Sequence, residues 1–164
     1  MKMMARKNII MGVMTVITTA TLLSPSFAIL DKTRFAAHLG VAFFAFHRWV
    51  YNPYKAGSFK TGAQGRTKTL VKGGAALLFA VHELKVSSDI AHKSKSPLLQ
   101  KLAGSLDSLK GEYSSLGAKL KGGQFNPADI EAANTHVSAA GAGAAAAGVA
   151  AKEKETAIPG TEDN

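Results

Sequence analysis

The chain predicts an all-α protein, a small bundle of about four helices, on three observations. Large apolar residues recur at gaps of 3 and 4 through Leu99, Leu102, Leu106, Leu109, Tyr113, Leu116 and Leu120, the period of one helix face. Few segments carry a strand pattern, while Ala and Gly are heavily used. No cysteine occurs, so neither disulfides nor thiolate metal sites can hold the fold, and packing must do so alone.

Taken in order, the first element is a targeting signal. Lys2, Arg6 and Lys7 make a positive n-region, residues 9–23 form an apolar run, and Ser24-Pro25 breaks it. Ser26-Phe27-Ala28 then sets small residues where a signal peptidase needs them. Residues 1–28 therefore read as a signal peptide, and the protein as secreted or held in the cell envelope. Retained as an anchor, the same run would be short against the roughly 20 residues a membrane span needs. Loss of those three cations takes the formal charge from +9 to +6. The remainder is uneven: residues 31–121 are strongly basic and the residues from Gly122 onward are acidic. Such a division implies a counter-charged partner, or an acidic end that folds back on its own body.

Residues 29–140 read as the helical domain. Asp31 or Thr33 can cap a first helix over 35–51, and Asn52-Pro53 ends it because the residue before proline avoids the α region. This run is apolar nearly all round, as in a central bundle helix or a membrane span. A glycine-bearing loop over 54–68 follows, and a second helix runs from Thr69 through Leu84 to about His92. Ser96 as N-cap and Pro97 at the first helical position open a third helix over 97–121, which Gly122-Gly123 stops. A fourth starts at Asn126-Pro127 with Asp129 in its first turn and Ile130, Ala133, Val137, Ala140 and Ala144 on one face. Residues 141–164, rich in Ala and Gly and then acidic, read as a disordered tail.

The apolar segments at 35–51 and 69–84 have an alternative reading, a helical hairpin of a small integral membrane protein. Trp49, Tyr51 and Tyr54 would form an aromatic belt, and the basic loop would lie on the cytoplasmic side. Length and charge oppose it. Seven apolar residues of the first run return only about −3.5 kcal/mol on an insertion scale, and a central Lys such as Lys72 costs about +3. The bundle reading is preferred.

Between Lys32 and His82 there is no acidic residue, and aromatics are interleaved with the cations. The dull reading is a solvated loop between two buried helices; the functional one is a patch for an anionic partner. Arg48, Lys55, Lys60, Arg66, Lys68 and Lys72 are its candidate residues, facing an anionic envelope polymer or a lipid surface. Nucleic acid is disfavoured, since no recognition motif occurs and export removes the usual partner.

His38, His47 and His82 are candidate ligands for a haem or a metal in a bundle core. Against that role, His38 and His47 are nine residues apart, which sets them on opposite sides of one helix. No cofactor is expected. The Gly62-Ala-Gln-Gly65-Arg-Thr-Lys68-Thr69 stretch fails as a phosphate loop, because its Lys stands too far from the last Gly and a helix precedes it. No nucleophile elbow, catalytic Cys or close acid–base pair occurs, so a non-catalytic protein is expected.

Three phrases carry a resemblance: His38-Leu-Gly-Val-Ala-Phe-Phe-Ala-Phe-His47 with Trp49 and Pro53-Tyr54-Lys55-Ala-Gly57; Leu70-Val-Lys-Gly-Gly-Ala-Ala-Leu-Leu-Phe-Ala-Val-His82; and Lys95-Ser-Pro-Leu-Leu-Gln-Lys-Leu102. Over about residues 34–127 the chain resembles small exported proteins of Gram-positive bacteria. The resemblance implies export and a shared helical body, and it assigns no site residue.

Overall fold

A computed structural model describes residues 26–162. Of the signal peptide expected over 1–28, only the last three residues fall in that range; the rest of that expectation lies outside the described residues. The elements are α1 (Ser26–Phe46), a π-helical turn (His47–Tyr51), α2 (Asn52–Lys55), α3 (Arg66–Lys93), α4 (Pro97–Lys121) and α5 (Pro127–Ala146). Among the described residues there is no strand, and the four long helices form an all-α bundle.

α4 is the helix the leucine period foretells. Ser96 accepts a hydrogen bond from the Leu99 amide at its start, and Gly123 takes the left-handed φ of 70° just past its end. All seven seam residues are buried. Each buried leucine contributes roughly 1.5–3 kcal/mol. α3 lies between α4 and α1, and α5 rests on α4. Because α3 is covered on two sides it buries small residues where backbones approach. A Cβ on Gly74 would stand 2.7 Å from the Gly117 carbonyl oxygen, so the crossing of α3 and α4 needs glycine there. α1 faces the core through Phe35, Leu39, Ala42 and Phe46, and the Phe46 ring stacks on Tyr113 at 5.5 Å. α5 buries Ile130, Ala133, Val137, Ala140 and Ala144, the five expected.

Among the described residues no helix is long and apolar enough to cross a membrane. The hairpin alternative over 35–51 and 69–84 gives way to helices whose apolar faces close on each other and on α4.

The boundaries differ from the expected ones for local reasons. α1 already runs from Ser26, and Thr33 is no cap: its hydroxyl donates to the Ile29 carbonyl one turn back, as an interior threonine does. Asn52-Pro53 does not end the helix. The Asn52 amide reaches back five residues to the His47 carbonyl, and that widened turn sets Pro53 in the first turn of α2, where its missing N–H costs nothing. α3 starts at Arg66, three residues before the expected Thr69, so Lys68 is helical and not in the loop. Of the tail expected at 141–164, residues 141–162 fall within the described residues. α5 continues to Ala146, and residues 147–162, without helix or strand, lie along the body with Val149, Ile158 and Thr161 buried. Apolar Val149 and Ile158 have a surface to cover, which an Ala/Gly-rich composition conceals.

Candidate anion-binding groove

The π turn lies against α3, and α2 follows directly from it. Gly73 makes that contact close, since a Cβ there would stand 2.8 Å from the Trp49 carbonyl oxygen. Trp49 is thereby fixed at the junction, partly buried. The Arg48 guanidinium lies 4.8 Å from the centre of its ring and the Lys72 ammonium 5.7 Å from it, both within cation–π range. An open groove of about 480 Å³ runs along this junction, lined by Arg48, Trp49, Ser58, Lys68, Thr69 and Lys72 among others. No carboxylate belongs to its described lining. The first turn of α3 bears no acidic residue, so the positive end of that 28-residue helix adds to the same field.

Of the six candidate cations, Arg48, Lys68 and Lys72 are brought together and the other three are not. Lys55 lies over the Tyr51 ring and pairs with Glu131 at 3.6 Å. Arg66 Nε donates to the Phe59 carbonyl at 2.9 Å and so closes the loop 56–65 onto α3. Lys60 is exposed, its stem running past Gly57.

The histidines are not gathered into a ligand set. His38 Nδ1 is 2.6 Å from Glu83 Oε2, joining α1 to α3. His47 pairs with Glu153 and with Asn134, and His82 is exposed. Among the described residues no group of three or more His, Cys, Asp or Glu is placed to hold a metal ion.

The chain matches no protein-family model, no curated protein and no solved structure. Function must therefore be argued from the site.

Two further clefts lie between α4 and α5, and each has a carboxylate in its lining that already has a partner. Lys119 meets Asp129 at 2.8 Å in one, and His136 meets Glu112 at 2.8 Å in the other. Of these three, the Trp49 groove alone has cations and no carboxylate in its described lining.

Sequence reasoning missed the part played by Trp49, Ser58 and Thr69. For Trp49 a signal was present: Arg48 precedes it, and Lys68 and Lys72 are spaced i, i+4, one face of a helix. Ser58 and Thr69 carry no such signal, because only the fold brings the loop beside α3.

Proposed function

We propose that this protein is an exported, non-catalytic helical protein of the cell envelope that binds phosphate-bearing anionic polymer or lipid head groups through the Arg48–Lys68–Lys72 groove. One observation carries the reading: three cations from two segments share an open groove with an indole and with no carboxylate in its described lining. Arg and Lys over an aromatic face keep their charge while resting on apolar surface, an arrangement suited to phosphate diesters. An open trough fits a chain or head group better than it fits a small molecule that must be enclosed. The hydroxyls of Ser58 and Thr69 have no histidine or carboxylate beside them in the described lining, so binding is favoured over catalysis. Export rests on the pattern of residues 1–28 and on the resemblance to small exported proteins of Gram-positive bacteria.

The single tryptophan makes the test direct. Emission of Trp49 is followed during titration with polyglycerol phosphate, with phosphatidylglycerol vesicles and with glycerol 3-phosphate. With three phosphate contacts, affinity for the polymer is expected to fall about 20-fold between about 50 and about 200 mM salt. The R48Q/K68Q/K72Q variant should bind neither polymer nor vesicles. Salt-insensitive binding, or equal binding by that variant, overturns the reading, and the polymer and vesicle arms tell which source of phosphate is preferred.

A further inference from the structure

Residues 147–162 form a strap that leaves the end of α5 and passes Lys32, Gly40 and His47 in turn. Lys32 Nζ reaches the Ala147 carbonyl at 3.4 Å where the strap begins, and Val149 and Ile158 are buried on either side of its middle. Between those two anchors the residues are exposed or half-exposed. The Lys154 amide donates to the Gly40 carbonyl at 3.1 Å, and Glu153 meets His47. These polar contacts hold a span whose local preference runs the other way. Ala150, Ala151, Lys152, Glu153, Lys154 and Glu155 are good helix formers, yet from Val149 to Ile158 the backbone is neither helix nor strand. A segment held against its own propensity keeps its course only through tertiary contacts, and the loss of one is felt.

His47 supplies a contact that can be lost reversibly. Its Nδ1 lies against Glu153 Oε1 of the strap, and its Nε2 is 3.2 Å from Asn134 Oδ1 of α5. Carboxylate and amide oxygens only accept, so both ring nitrogens donate, and only the imidazolium carries both protons. The rings of Phe46 and Tyr51 flank the imidazole, their centres 5.4 and 5.9 Å from its own. Other charged and titratable groups surround this pair. Lys152 and Lys154 flank Glu153 in the strap, both exposed. On α5, Glu131 takes the Tyr51 hydroxyl at 3.5 Å and the Lys55 ammonium of α2 at 3.6 Å. On α4, Tyr113 stacks on Phe46, and Glu112 pairs with His136. Arg48 of the π turn and Lys72 of α3 lie over the Trp49 ring. Glu153 is thus the carboxylate that answers the imidazolium.

We infer that His47 is a proton-operated latch: as the imidazolium it holds residues 150–157 of the strap over Gly40, and on losing its proton it lets that span lift while Val149 and Ile158 stay seated. A neutral imidazole keeps a single N–H, so it gives up one of its two acceptors and the charge that strengthens the bond to Glu153. Histidine side chains make this exchange between about pH 5 and about pH 8. The strap is therefore closed in acid and opens as pH rises, uncovering the Gly40 carbonyl on α1. The latch works whether or not the Trp49 groove binds an anion.

The full chain is followed by NMR between about pH 5 and about pH 8. Ring nitrogen shifts of His47 report its protonation. Exchange of the Lys154 amide, divided by its intrinsic rate at each pH, reports the strap. Protection at Lys154 should fall about 10-fold across the His47 titration, the size of a charge-assisted hydrogen bond giving way to a neutral one. Amides of α3 and α4 should keep theirs. H47Q and E153Q should show the low value already at the acid end and no pH dependence. H136Q, which breaks the pair with Glu112 between α5 and α4, should follow wild type. Protection that is constant across the titration overturns the inference. So does protection in H47Q and E153Q as high as wild type in acid, or a fall with pH that they share with it.

Discussion

The amide of Lys154 donates to the carbonyl of Gly40 across 3.1 Å, tying the strap to the middle of α1. The contact depends on the absence of a side chain. A Cβ on Gly40 would stand 2.0 Å from the Lys152 carbonyl oxygen, closer than any real contact allows.

Gly40→Ala should therefore expel the strap from α1 and leave the bundle folded, since the atoms nearest the new methyl belong to the strap backbone. Hydrogen exchange at the Lys154 amide is expected to become fast and the strap to become open to proteolysis, with the α3 and α4 amides still protected. Retained protection at Lys154 would refute the packing described for residues 147–162.

Tyr113 is buried against Phe46, and its hydroxyl has no hydrogen-bond partner among the described residues. Removing an unsatisfied buried hydroxyl relieves a desolvation cost, so Tyr113→Phe should be neutral or stabilising by about 1 kcal/mol in denaturant unfolding. Burial, with Glu112 and Glu153 adding to it, holds the phenol well above the ordinary tyrosine range. The folded state thus keeps a proton that the unfolded chain releases near pH 10, and stability falls as pH rises past that point. Tyr113→Phe should flatten that alkaline decline.

Asp107 receives hydrogen bonds from His92, Lys110 and Ser88, at 2.9, 2.9 and 2.8 Å, and these hold its carboxyl well below the usual carboxylate range. A depressed pKa contributes stability that is present above the unfolded value near 4 and is lost as pH falls below it. The side chain is 40% exposed, so solvent screens the effect and Asp107→Asn should cost less than about 1 kcal/mol at pH 7. The difference between Asp107→Asn and wild type should shrink from pH 5 to pH 2 in thermal unfolding. A gap that widens with acid would contradict the arrangement.

Wherever a helix carries one apolar face, the sequence was enough. The seam from Leu99 to Leu120, the Ser96 and Asn126 caps and the small-residue face of α5 are all local patterns, and local hydrogen bonds with one buried stripe decide them. The all-α class follows from the same residues. Asn52-Pro53 misled because the rule about prolines describes ordinary α turns, and the π turn at His47–Tyr51 changes the hydrogen-bond register just before it.

The groove and the strap were settled by tertiary structure alone. Arg48, Lys55, Lys60, Arg66, Lys68 and Lys72 are alike as a list of cations. Only the seating of Gly73 on the Trp49 carbonyl gathers three of them and leaves Lys55 to Glu131 and Arg66 to Phe59. In the same way the composition of residues 147–162 holds too few apolar side chains to announce a packed segment. Its place depends on a bare Gly40, on His47 and on the far wall of α3, which are distant in the chain and meet only once the bundle is formed. Periodicity acts within a helix and can be read there; convergence between segments depends on how whole helices are laid together, and that information exists only in three dimensions.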